Sequence, residues 1–421
     1  MRSWGPSPFR GVIVGNTFID LFAGCGGLSL GLIRAGWNGL FAIEKSPDAF
    51  ATLKHNLVDG DVVQPFNWPV ELPCEAMQVG ALLALHRPFL ESLAGTIDLI
   101  AGGPPCQGFS FAGKRNEGDP RNQLFEEYVD IVAVLRPKFL LLENVRGFAS
   151  GFRSAGSEPG RAYADVLKGR LEQLGYRFHS KMLSASQFGV PQTRARFIMI
   201  ATRLDVDQGV RPFRLLAERI EEFRLGHGLP AHGDTSVRDA ISDLEIAGAR
   251  LVDCPETQGF KQLQYIQRRL SPFQKAMRSG LPDGFAPNSL RLPNHGSEVS
   301  ARFKRILARF PKGKAVSKIH LEALGTKKHS VTPLHPGHLS KTITTLPDDL
   351  LHYSEPRILT VRENARIQTF PDWYHFRGKF TTGGSRRKDE CPRYSQVGNA
   401  VPPLMAEALG RVIKELDPGN G

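Results

Sequence analysis

Between positions 17 and 202 short apolar runs alternate with amphipathic stretches. The pattern predicts strands at 17–22, 39–43, 97–101, 139–143 and 196–201, with helices at 28–36, 46–57, 123–136 and 161–174. Strands and helices in alternation are the signature of a parallel sheet covered by helices. The run at 139–143 ends on Glu143, which puts a carboxylate at the carboxyl edge of that sheet, where open α/β sheets take their ligands. From Leu204 to His352 proline, glycine, histidine and basic residues dominate, and helical periodicity is confined to 213–224 and 262–278. A separate, mostly irregular or short-stranded domain is expected there. Helical spacing returns from Gln396 to Leu416, with Leu404, Met405, Ala408, Leu409, Val412 and Ile413 forming the apolar stripe of a helix that packs back on the first domain. The stretch 62–96 reads as an inserted loop and helix.

With 421 residues the chain exceeds what one core usually fills, so two unequal domains are expected, one formed by 1–203 with 390–421 and the other by 204–389. Cysteines at 25, 74, 106, 254 and 391 form neither close pairs nor a metal-type spacing, which argues against a disulfide framework or a zinc site and for a reduced, intracellular protein. No apolar run nears the roughly 18 residues of a membrane span, and the apolar segment at 11–15 is too brief for a signal peptide. The cytosol is therefore the expected compartment. The formal net charge of +12 is unevenly placed: fifteen Lys and Arg face three acids (Asp283, Glu298 and Glu322) between Lys261 and Lys328. Such a local surplus predicts a surface that contacts phosphates.

Chemistry is most legible in GGPPCQGFS at 102–110, which sets Cys106 behind a stiff Gly-Gly-Pro-Pro exit from a strand. A thiol presented on a rigid turn at the sheet edge reads as a nucleophile. The segment FIDLFAGCGGLSLGL at 18–32 is a strand, a glycine turn with Gly24 and Gly26, and a helix start, an arrangement that lets backbone amides approach a ligand. Glu44 follows Gly24 by twenty residues, a spacing for accepting hydrogen bonds from a ribose diol. That spacing suits any adenosine cofactor and does not separate a nicotinamide dinucleotide from S-adenosylmethionine. Along 192–197 Gln192, Arg194 and Arg196 alternate, so they are expected on one face of a strand, aiming two guanidiniums at a pocket that holds something negative or carbonyl-like.

Together these segments resemble the cytosine-5 DNA methyltransferases: FxGxGG at 22–27 with Asp20, PPCQGFS at 104–110, ENV at 143–145, QTRAR at 192–196, RILTVRENARIQTFPD at 357–372 and QVGNAVPP at 396–403, in the family's order. The resemblance implies a Rossmann-like α/β fold dependent on S-adenosyl-L-methionine, with a smaller, irregular DNA-recognition domain. It implies methyl transfer to carbon 5 of a cytosine flipped out of a short double-stranded DNA sequence, through a covalent Cys106 adduct. Glu143, Arg194 and Arg196 would serve the ring. Phe18, Gly24, Gly26, Glu44, Asp61, Pro104, Asn399 and Val401 would bind the cofactor. Domain 1–203 with 390–421 would be catalytic, and 204–389 would hold target recognition and hinge. No membrane and no obligate protein partner is implied. A cognate restriction endonuclease would act separately, and the location would be cytoplasmic at the nucleoid. Lys45 departs from the family, whose members often place an aromatic residue there. Other readings are a tRNA methyltransferase on the same scaffold, whose Cys-Phe-Thr marker is missing, and a dinucleotide oxidoreductase, which would leave Cys106, Glu143 and the arginine pair without a shared task. A DNA-binding protein without catalysis is opposed by the intact Cys106 and Glu143.

Overall fold

The computed structural model describes residues 15–104, 120–149, 163–326, 328, 330–381, 390–417 and 419. Strand β1 (Thr17–Leu21) is buried along its whole length. Phe18 turns to one face and Ile19 and Leu21 to the other, as side chains on a strand must. Strands β2 (Asn38–Ile43) and β3 (Leu99–Gly102) flank β1 in parallel, and β4 (Phe139–Asn144) lies parallel to β3. Helices α1 (Gly27–Arg34) and α2 (Pro47–Leu57) follow β1 and β2. Helices α3 (Val79–Leu85), α4 (Arg87–Ser92), α5 (Pro120–Leu135) and α6 (Tyr163–Gln173) cover the other face.

The sheet has the order β2-β1-β3-β4-β6-β5 and is mixed where the alternation predicts parallel strands throughout. Strand β6 (Ala195–Arg203) runs antiparallel between β4 and β5 (Tyr176–Ser184). Strand β5 escapes sequence reading because it is the outer strand, with a largely exposed run from Arg177 to Met182 and no apolar stretch.

The second half contributes α7 (Pro212–Gly226), α8 (Val237–Ile241), β7 (Leu251–Asp253), β8 (Lys261–Leu263), α9 (Pro272–Met277), α10 (Ser297–Arg309), α11 (Lys318–Ala323), β9 (Thr332–Pro333), β10 (Leu350–Leu351), α12 (Val361–Ile367), α13 (Arg393–Asn399) and α14 (Pro403–Glu415). The helix expected over 262–278 is reduced to α9, because Ser271 caps a new start and Pro272 cannot continue a helix from before it. Helix α10 was not predicted, since only Phe303 and Ile306 are buried along it. A buried charge cluster holds this half: Arg366 meets Asp372 at 2.6 Å and Asp243 at 3.1 Å, and Arg278 meets Asp372 at 2.9 Å.

As expected from its apolar stripe, α14 returns to the first half and lies against α1. A Cβ on Gly31 would stand 2.3 Å from the Ala406 Cβ and 2.6 Å from the Pro403 carbonyl oxygen, so the two helix backbones approach as closely as a missing side chain allows. Trp37 Nε1 donates to the Gly410 carbonyl at 2.9 Å and fixes the register. Gly31→Val is expected to destabilise the fold by about 1–3 kcal/mol through overpacking, read as a lower urea midpoint. An unchanged midpoint would contradict this packing.

Candidate functional site

The carboxyl ends of β1 to β4 and the amino end of β6 form one edge. Here β1 leaves through Phe22, a non-glycine residue in the left-handed region at φ 61, and Gly24 at φ 59. Open space surrounds the position of a Cβ on Gly24. Gly26, at φ 87, starts α1 and is packed against the Tyr374 hydroxyl and Leu57. Beneath the turn the Tyr374 hydroxyl donates to the Cys25 carbonyl at 2.5 Å.

Glu44 sits one residue past β2 and spans the glycine turn: Oε2 accepts from the Gly24 amide at 2.9 Å and Oε1 from the Ser46 amide at 2.7 Å. Burial raises its pKa above the ordinary carboxylate value. Each oxygen retains a lone pair, so the carboxylate can still accept from a diol. Asp20, wholly buried on β1, accepts from the Ser29 hydroxyl at 2.5 Å through Oδ2, while Oδ1 has no hydrogen-bond partner. Burial, with Glu44 nearby, raises its pKa to about 7. An open glycine turn beside two acids, neither with a salt-bridge partner among the described residues, fits a ligand that carries a ribose and a positive charge.

Glu143, near the end of β4, and Arg196, on the second residue of β6, meet at 2.6 Å with both side chains only about a tenth exposed. A Cβ on Gly103 would stand 3.4 Å from Glu143 Oε2, so the chain leaving β3 passes over this carboxylate. Asn144 Nδ2 donates to the Pro104 carbonyl at 3.1 Å and pins the same segment. Cys106, the expected nucleophile, lies outside the described residues.

Other expected side chains divide. Gln192 and Arg194, unlike Arg196, make no direct ion pair with Glu143, although Arg194 lies near both charges. Gln192 Nε2 donates to Gln368 Oε1 at 2.6 Å, and Arg194 donates to the carbonyls of Ile343 at 3.1 Å and Asn399 at 3.5 Å. Burial, with Arg196 beside it, lowers the Arg194 pKa to about 9. The Asn399 residue is exposed, whereas Val401 is buried with its carbonyl against Gly27. Phe18 is fully buried, its ring 5.4 Å from that of Phe66, so the aromatic at the glycine turn is Phe22 instead. Phe22 stands in the FxGxGG run, and its place after the apolar strand was the available signal.

Asp61 is at the wrong end of the sheet. It hangs exposed from a return whose ends meet at 2.8 Å, Phe66 amide to Leu57 carbonyl, beside the start of β2, where the Asn67 amide donates to the Gly39 carbonyl at 2.8 Å. The chain then climbs alongside β2 until the Met77 amide donates to the Glu44 carbonyl at 2.9 Å. It is Glu75, exposed and two residues before this contact, that comes to the ligand edge. Among the described residues no group of three or more His, Cys, Asp or Glu side chains is placed to hold a metal.

Asp20 gives the folded protein a pH dependence. An unfolded aspartate ionises near pH 3.9 and the folded one near 7, so between these values the folded state holds the extra proton and stability falls as pH rises. Asp20→Asn cannot ionise. Its stability relative to wild type should therefore grow from about pH 4 to pH 7, by about 1.36 kcal/mol for each unit of separation at most. Urea unfolding across that range measures the difference, and a constant difference would show that Asp20 is ionised throughout.

The sequence matches the model of the C-5 cytosine-specific DNA methylase family over residues 16–415. It is 32% identical over 412 residues to the Type II methyltransferase M.DdeI of Desulfomicrobium norvegicum, covering 94% of this chain and 88% of that one. Identity to the Type II methyltransferase M1.HphI of Haemophilus parahaemolyticus is 30% over 407 residues, covering 95% and 87%. Among solved structures, a prophage-encoded protein of E. coli described as a DNA modification methyltransferase aligns with a TM-score of 0.65 at 23% identity, over 96% of this chain and 99% of that one, a likeness of fold. With the family matched from the first described strand to the last helix, the chain belongs to the C-5 cytosine-specific DNA methylases, methyltransferases that act on cytosine in DNA.

Proposed function

We propose that this chain moves a methyl group from S-adenosylmethionine to carbon 5 of a cytosine swung out of duplex DNA, with Cys106 as the transient nucleophile. The observation that carries this reading is the 2.6 Å contact of Glu143 with Arg196 beside Gly103, three residues ahead of Cys106. Carbon 5 of cytosine is a weak nucleophile until a group adds at carbon 6, and a thiolate both makes and releases such a bond. Glu143, positioned by Arg196, delivers a proton to ring nitrogen 3 and so neutralises the negative charge that develops there as sulfur adds. Arg196 also addresses the ring oxygen. Arg194 serves by holding the Ile343 and Asn399 carbonyls in place. Loss of the carbon-5 proton returns an electron pair to the ring and expels the Cys106 thiolate.

When bound, S-adenosylmethionine supplies its methyl group as an electrophile. Glu44 holds the ribose hydroxyls, Gly24 and Phe22 face the cofactor, Pro104 and Asn399 line its pocket, and Gly26 and Val401 shape the loop from beneath. Glu75, in place of Asp61, which the resemblance put among the cofactor-binding residues, accepts from the adenine amine. Segments 1–203 and 390–421 form the catalytic part, and 204–389 selects the DNA sequence. The relatives are Type II methyltransferases, and we read this chain as the modification member of such a system in the cytoplasm, with any endonuclease acting separately.

Tritiated methyl should pass from S-adenosylmethionine to duplex DNA, and Cys106→Ser should abolish this while DNA binding persists. Glu143→Gln should lower kcat by about 100-fold or more. Label on tRNA alone, or full activity without the thiol, would overturn the assignment. Calorimetric titration with S-adenosylhomocysteine should show about tenfold weaker binding for Glu75→Gln, the loss of one charged hydrogen bond, and no change for Asp61→Asn. The reverse order would restore Asp61 to the adenine.

A further inference from the structure

We propose that the outward face of α10 and the turn after it grip the phosphate backbone of duplex DNA beside the target sequence, without regard to base identity. This rests on the reading of the chain as a DNA methyltransferase and identifies which of its many cations serve that end. Phe303 and Ile306 are buried in a cluster with Val316, Leu321, Val331, Leu351 and Ile358. That contact fixes the rotation of the helix, and at 3.6 residues per turn it leaves Lys304 and Arg305 on the opposite side and Arg309 on the flank. All three are exposed, as are Lys312 and Lys314 in the turn that follows.

Among the described residues none of these five cations has a carboxylate partner. Four other helices pair a surface cation with an acid one turn away: Arg87 with Glu91, Lys168 with Glu172, Arg214 with Glu218 and Lys318 with Glu322. Arg305 and Arg309 lie one turn apart on the same side of the helix, about 6 Å apart along the axis, roughly two nucleotide steps of one DNA strand at 3.4 Å each. A duplex offers that periodic charge; a folded acidic protein does not. The patch is also tied to the site. The Gly313 amide donates to the Pro333 carbonyl at 2.7 Å, and the chain runs on from β9 to Ser340 and Ile343, which hydrogen-bond the lead-in to Arg196.

The test is the triple variant Lys304→Gln, Arg305→Gln and Arg309→Gln in the full chain. Fluorescence anisotropy with a mixed-sequence duplex of about 30 base pairs would be read across a potassium chloride series. Each lost phosphate contact should flatten the slope of log Kd against log salt by about 0.9, so a change of about 2 to 3 is expected. The loss should be equal for duplexes with and without a methylated site, with kcat at saturating DNA and S-adenosylhomocysteine binding unchanged. An unchanged slope would overturn the proposal. So would a loss confined to one sequence, which marks base readout, or a loss seen with structured RNA and not with the duplex. Failure of the wild-type chain to methylate DNA would count against the broader reading and leave the slope to judge this one.

Discussion

An antiparallel ladder between β4 and β6 is the constraint on which the rest of the structure depends. Because β6 runs against β4, its amino end lies at the carboxyl end of β4, with Glu143 opposite Ile198 and Asn144 opposite Phe197. An acid from one strand and a guanidinium from the other then meet at the ligand edge on rigid backbone. A one-residue slip in this register would send Arg196 to the opposite face of the sheet. The ladder is secured by the outer strand β5, paired with β6 over nine positions.

The segment before β6 does a second job with the same few residues. Gln192 and Arg194 turn inward, and Gln368 passes the link on, donating to the Val397 carbonyl at 2.7 Å. Four stretches remote in sequence (192–194, 343, 367–368 and 397–400) are joined by buried amides and a buried guanidinium. Such groups are costly where a donor lacks an acceptor, as Arg194 Nε does here, and the hydrogen bonds that are made specify one arrangement. The buried charges of Arg366, Arg278, Asp243 and Asp372 act likewise in the second half.

The elements read from sequence were those whose burial is continuous. Strands β1, β3 and β4 are apolar runs with few polar interruptions, and α14 carries an unbroken stripe. Strand β5 and helix α10 were hidden because their burial rests on two or three residues, Tyr176 and Leu183 in one and Phe303 and Ile306 in the other, among many charges. Site residues followed a similar rule. Glu44 and Glu143 were placed at the edge by strand ends, which periodicity locates, whereas Arg196, at the start of its strand, reaches that edge only because β6 runs antiparallel to β4. Asp61 was misplaced because spacing along the chain does not reveal that the loop after α2 first returns to the foot of β2. Phe18 and Phe22 are both aromatics near a glycine turn, and only the pleat distinguishes the one facing the core.

Helix α14 completes the layer that covers the first strand, although more than 350 residues separate Gly31 from its neighbours Pro403 and Ala406. During synthesis the glycine turn therefore emerges first and stays without its roof until a helix more than 350 residues downstream has left the ribosome. A fragment that stops short of residue 403 would expose the apolar flank of α1 and would lack the backing of the glycine turn. Such a fragment would carry an uncovered apolar face, the kind of surface through which incomplete chains associate.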